Sequence, residues 1–240
     1  MKVNKIQTEE NKDKTLRQDT ESCILADCSL CPRNCHVDRT AGKTGYCGMD
    51  QKVKIARAAL HMWEEPCISG IRGSGAVFFT GCNLRCCFCQ NREIAAGLAG
   101  KEISEERLIE IFKELEDSGA DNINLVSPTQ YALQLADTLS KYKPGIPVVY
   151  NTGGYDSVES LKALDGLIDI YLTDMKYVSP SVSKKYSRAE NYFEVCSKAV
   201  LEMHRQQPED IFENGLMKKG MIIRHLVLPG NISQGMKMLD

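Results

Sequence analysis

The chain has 240 residues, 42% of them apolar, which is enough to bury the core of one ordinary domain with a small appendage. A formal net charge of −2 leaves no electrostatic footprint for nucleic acid, so no nucleic-acid partner is expected. No run of 18 apolar residues exists and the N-terminus lacks the apolar core of a signal peptide, so no membrane association is expected and the protein should be cytoplasmic.

Eleven cysteines in such a chain point to metal or redox chemistry rather than to a disulfide framework. Residues 1–22 are dominated by Lys, Glu, Asp, Gln, Asn and Thr with no sustained apolar period, and read as a flexible tail. Residues 23–75 form a Cys-rich N-terminal segment. In it Cys28, Cys31, Cys35 and Cys47 follow the spacing C-x2-C-x3-C-x11-C, among Pro32, Gly42, Gly45 and Gly48. So short and loop-rich a stretch has little core of its own, which points to a bound metal. Zinc is favoured over a second iron-sulfur cluster because four thiolates close a tetrahedron. The competing reading is that these cysteines only pack beneath the main domain. His36 reads as a solvent-facing neighbour, and Cys23 and Cys67 receive no role. Residues 52–59 alternate as a strand does, and 60–75 is a turn-rich connection. There His61, Trp63, Glu64 and Glu65 read as solvated loop residues rather than acid-base groups.

From residue 76 the pattern repeats strand, loop, helix. Strands are predicted over 76–80, 122–126, 148–151, 167–173 and 221–228. Helices are predicted over 104–119, with Ser104 as N-cap and Gly119 as stop, over 129–141, from about 157, and from about 191 to 206. This alternation means a parallel sheet with right-handed crossovers, whose ligands gather at the carboxyl ends of the strands.

Directly behind the first of these strands comes GCNLRCCFCQN, residues 81–91, in which Cys82, Cys86 and Cys89 have the spacing C-x3-C-x2-C. Three thiolates on one loop do not close a structural zinc site, which normally takes four ligands in two C-x2-C pairs. They do anchor a cubane iron-sulfur cluster while leaving one iron open. Cys87 lies inside the motif but is adjacent to Cys86, and reads as an ordinary buried small residue rather than a ligand.

The spacing with Phe88 before the last cysteine is similar to the signature of the radical S-adenosylmethionine (SAM) enzymes. The residues WEEPCISG (63–70), the Gly-Ser-Gly at 73–75 and the CQN that closes the motif resemble the branch related to pyruvate formate-lyase activating enzymes. The resemblance covers roughly residue 28 onward. It implies a 4Fe-4S cluster on Cys82, Cys86 and Cys89, SAM on the open iron, Phe88 beside the adenine, and cleavage of SAM to a 5′-deoxyadenosyl radical. It also implies a flavodoxin or ferredoxin as reductant and a protein substrate activated by hydrogen abstraction.

The fold implied is a partial (βα)6 barrel, with residues 76–240 as its core. The predicted strands number five, so the last is expected to be missing through truncation at the C-terminus. After the second strand, Ser127, Pro128 and Thr129 stand where the superfamily often carries Gly-Gly-Glu; this chain departs from that pattern. After the third comes Asn151, in a turn similar to the Asn-Gly turn of activating enzymes. Asp174 and Lys176 resemble their Asp-x-Lys motif, and Arg224 an Arg-bearing strand. Each is also readable as plain structure, Asp174 and Lys176 as an ion pair and His225 as a satisfied core histidine. Two other functions fit the same residues: a modifier of a peptide, nucleoside or small metabolite, and a non-catalytic iron-sulfur or zinc protein that relays electrons.

Overall fold

The computed structural model describes residues 23–239, so the tail assigned to 1–22 lies outside the described residues. Its frame is one sheet of eight strands in the order β3-β1-β2-β4-β5-β6-β8-β7, with no pairing between the outer strands β3 and β7. In chain order the elements are β1 (Lys54–His61), α1 (Pro66–Ser69), β2 (Ser74–Phe79), α2 (Arg92–Ala95), β3 (Lys101–Glu102), α3 (Glu105–Asp117) and β4 (Ile123–Val126). A 3-10 turn at Thr129–Tyr131 leads into α4 (Ala132–Lys141), then β5 (Val148–Thr152), α5 (Val158–Ala163), β6 (Ile170–Asp174) and α6 (Pro180–Ser187). The chain continues with α7 (Tyr192–Gln206), β7 (Ile211–Glu213), β8 (Leu216–Arg224) and α8 (Ile232–Leu239).

The strands β2, β4, β5, β6 and β8 are parallel and consecutive in the sheet. The sequence of the inner ones dictates this. Ile123, Leu125, Val148, Val149, Tyr150, Ile170 and Leu172 are all essentially inaccessible, so successive residues are buried on both faces, as a sheet covered by crossover helices requires. Helix α3 illustrates the covering layer. Ser104 Oγ accepts the Arg107 amide at 3.2 Å to cap its start, and Leu108, Ile111, Phe112 and Leu115 bury one stripe. Each such side chain contributes about 1.5–3 kcal/mol when fully buried.

Three features depart from the sequence reading. The last parallel strand begins at Leu216, earlier than expected, and ends at Arg224, because Asn214 and Gly215, both at positive φ, turn a hairpin that adds β7 antiparallel to β8. Helix α6 was not anticipated; its Pro-Ser start resembles a loop, but Pro is well suited to the first turn of a helix. Strand β1, from the Cys-rich segment, pairs antiparallel with β2, so the sheet runs across residue 75 without interruption. Among the described residues no helix is long and apolar enough to cross a membrane.

Candidate active site

The carboxyl ends of β2, β4, β5, β6 and β8 surround a cavity of about 570 Å³. The loop after β2 carries Cys82, Cys86 and Cys89 to its wall, together with Phe88. Gly81 starts this loop at φ +88°, and a Cβ there would lie 2.5 Å from Met49 Cγ, so only glycine fits between β2 and the N-terminal segment. Burial pushes all three thiols up. Backbone N–H groups of Arg85 and Leu84 oppose this at Cys82, the Lys176 charge and the Ser187 hydroxyl oppose it at Cys86, and the Asn91 N–H does so at Cys89. Groups that stabilise a thiolate are therefore already aimed at each sulfur.

Helix α6 is the support for this loop. Ser187 Oγ donates to Cys86 Sγ at 3.0 Å and lies 2.6 Å from the Tyr177 hydroxyl, with both residues fully buried. The Tyr186 ring packs against Phe88 with centroids 6.2 Å apart, and the Tyr186 carbonyl accepts the Cys87 amide. Cys87 itself is exposed, not buried as its neighbours in sequence suggested; its amide, rather than its thiol, is what the loop uses.

The cavity wall also carries a polar network. Arg224, at the end of β8, donates from Nε to Asp174 Oδ1 at 2.8 Å, from Nη1 to Glu64 Oε1 at 3.1 Å and from Nη2 to Asn151 Oδ1 at 2.8 Å. Lys176 Nζ bonds the other oxygen of Asp174. Residues two apart at the end of a strand share a face, and here both face the cavity. Glu64 also accepts from the side-chain amides of Asn124 and Asn151, at 2.9 and 3.3 Å.

The structure thus sets Phe88, Ser127, Thr129, Asn151, Asp174, Lys176 and Arg224 around one cavity with the three cysteines. Pro128 is not on its surface; it is buried, and its carbonyl accepts the Tyr131 amide that starts the 3-10 turn. Ser127 holds a left-handed backbone, φ +55°, with its amide bonded to the Asn151 carbonyl. Thr129 is fixed by the buried carboxylate of Asp156, which accepts from Thr129, Thr152 and Tyr150.

Of the four residues read as solvated loop, Trp63 is indeed 89% exposed, yet three of the four touch the cavity. Glu64 has a side chain only 12% exposed, and His61 and Trp63 line the same space. A Glu-Glu pair carries no local signal of this; it follows from β1 pairing with β2, which returns the loop over the strand ends. His225 also lines the cavity, bonding the Met175 carbonyl through Nδ1 at 2.7 Å while its Nε2 has no partner. That arrangement leaves one ring nitrogen without a partner among the described residues, unlike a satisfied core histidine.

Among the described residues no three His, Cys, Asp or Glu side chains are arranged to hold a single metal ion. A cubane cluster is a different demand, met by three thiols on one loop with thiolate-stabilising donors and an adjoining cavity. The donor set fits it.

The sequence profile of the radical SAM superfamily matches residues 76–213. An uncharacterized protein of Methanocaldococcus jannaschii is 30% identical over a 218-residue alignment that covers 87% of this chain and 59% of that protein. The chain therefore spans about three fifths of the length of that relative. The profile spans every parallel strand except the last, including the three-cysteine loop, and the chain belongs to the radical SAM superfamily.

Proposed function

We propose that the protein is a radical SAM enzyme of the activating-enzyme type, which cleaves SAM reductively and abstracts hydrogen from a protein substrate, with a flavodoxin or ferredoxin as electron donor. The observation that carries this reading is that the three-cysteine loop and the Arg224 network line one cavity. Cys82, Cys86 and Cys89 would hold a 4Fe-4S cluster, and bound there it supplies the electron that splits SAM into methionine and a 5′-deoxyadenosyl radical.

The remaining residues bind and orient. Asp174 and Glu64 offer carboxylates to the cationic parts of SAM, while Lys176 and Arg224 offer donors to its carboxylate. The Ser127 and Thr129 hydroxyls replace the acceptors that Gly-Gly-Glu provides in relatives. Phe88 gives an apolar surface for the adenine. Strand ends on several sides of the cavity restrict water, which a carbon radical requires.

The test is anaerobic. The protein is reconstituted with iron and sulfide, reduced with dithionite and given SAM, and 5′-deoxyadenosine is measured against a Cys82→Ala/Cys86→Ala/Cys89→Ala variant. Product from the wild type alone is expected. A wild-type chain that carries the cluster by EPR, but neither binds SAM nor forms product, would overturn the enzyme reading in favour of an electron relay.

A further inference from the structure

Of the eight cysteines outside this site, four fall in one N-terminal stretch: Cys28 and Cys47, both buried, and Cys31 and Cys35, both half-buried. We infer that they form a second metal centre, a four-thiolate site for a soft transition metal, joined directly to the loop of the first.

The backbone around them is built as turns that bring sulfur toward N–H groups. The Asn34 amide bonds the Cys31 carbonyl at 3.0 Å, closing a tight turn between Cys31 and Cys35, with Asn34 and His36 both at positive φ. The Gly48 amide bonds the Gly45 carbonyl at 2.9 Å, closing a second turn around Cys47. Between the two, Cys28 pairs with residues 36 and 37 through backbone bonds of 3.1 and 3.0 Å. A sulfur acceptor follows from this geometry. Cys35 Sγ accepts the Tyr46 amide at 3.2 Å. A neutral thiol has little use for such a donor, whereas a metal-bound thiolate does.

Charge gives an independent observation. Arg39 is 1% exposed, and its guanidinium bonds only carbonyls: Asp50 O at 3.0 and 2.5 Å and Gln130 O at 2.9 Å. No carboxylate pairs with Arg39, nor with Arg33, among the described residues. Buried cations are normally paired, because leaving one without an anion costs several kcal/mol, on the order of 3–5. Arg39 lies between Cys35 and Cys47 in the chain, and Arg33 lies in the turn between Cys31 and Cys35. A divalent ion with four thiolates carries two negative charges, and a cluster on four thiolates is also anionic. Either supplies the anion that buried Arg39 lacks.

His36 is excluded as a ligand, since it faces solvent and bonds Asp27 at 3.1 Å. A tetrahedron of 2.3 Å metal-sulfur bonds places its sulfurs about 3.8 Å apart. The four thiols are not in that arrangement, nor are those of the superfamily motif suited to a single ion. A bound metal would therefore have to draw the four sulfurs together.

Arg33 makes the junction between the two centres. It donates to the carbonyls of Asn83, Ser187 and Arg188 at 2.7, 2.9 and 2.5 Å, so one side chain touches the first cluster loop and caps α6. Its guanidinium lies 3.9 Å from the centre of the Tyr46 ring, next to Cys47.

The experiment uses the full 240-residue chain carrying Cys82→Ala/Cys86→Ala/Cys89→Ala, so that the first site cannot contribute. After anaerobic purification, metal per chain is measured, followed by titration with zinc and, separately, with iron and sulfide. One zinc per chain, with four metal-sulfur bonds of about 2.3 Å by X-ray absorption, would identify a single-ion site. Iron with matching sulfide and a cluster EPR signal on reduction would identify a second cluster. Either supports the inference, and Arg39→Met should then lower the metal affinity about 10- to 100-fold. Metal content no higher than after adding Cys28→Ser/Cys31→Ser/Cys35→Ser/Cys47→Ser would overturn it. Should that last variant fail to fold, thiol counting on the triple-Ala chain decides: four thiols must lose reactivity on metal addition and regain it with a chelator, and no change refutes the centre.

Discussion

Replacing Arg224 with methionine removes the cation that holds the strand-end network together. Its side chain is 30% exposed, against 12% for Glu64 and 18% for Asp174. Breaking a buried ion pair from one side costs about 3–5 kcal/mol, because the stranded charge stays desolvated. Partial exposure and the remaining Lys176 partner of Asp174 reduce this to about 2–3 kcal/mol of unfolding free energy. Glu64→Gln alone should cost about 1 kcal/mol, since the amide still accepts from Asn124 and Asn151. In the double variant no charge is left stranded at Glu64, so its cost should fall at least about 1 kcal/mol short of the sum. Urea unfolding of the metal-free chains measures all three. Additivity within about 0.5 kcal/mol would refute the claim that Glu64 and Arg224 form one unit.

Ser187→Ala deletes the hydrogen bond to Cys86 and strands the Tyr177 hydroxyl; less stabilisation of negative charge should make the reconstituted cluster harder to reduce, seen as a more negative midpoint in EPR-monitored titration. An unchanged midpoint would show that the Ser187 bond does not reach the cluster. Gly81→Ala should cost at least about 2 kcal/mol, from its positive φ and from contacts with Met49 and the Cys47 carbonyl, measured by thermal unfolding. Burial raises the pKa of Asp156, so the native state holds a proton that the unfolded chain has released. Stability should therefore fall as pH rises from its ordinary value of 3.8 through the raised pKa, and stay level above it. Asp156→Asn should remove that slope; an unaltered pH profile of urea midpoints would contradict it.

What could be read from the sequence was local. The strand positions followed from short apolar runs, the start of α3 from Ser104, and the cluster loop from cysteine spacing behind a strand. The Asp174 and Lys176 positions followed from strand ends, because a parallel sheet collects its ligands there. What could not be read depended on distant partners. Glu64 enters the cavity only because residues 54–61 pair with 74–79, and nothing in the Glu-Glu pair signals it. Helix α6 hides in a segment rich in Ser, Lys and Pro, whose helical state is fixed by packing on the cysteine loop. The β7 hairpin did have a signal, Asn214-Gly215, the dipeptide that favours the tight turn joining two antiparallel strands.

The pairing of β1 with β2 also separates two notions of a boundary. The match to the superfamily profile begins at residue 76, inside β2, yet the neighbour that completes that strand's hydrogen bonds lies upstream of it. A fragment cut at residue 76 would bare the edge of the strand that feeds the cysteine loop and leave Arg224 without Glu64. Such a fragment would keep every residue of the signature and lose one wall of the chamber, so recombinant pieces of this chain should start upstream of residue 54.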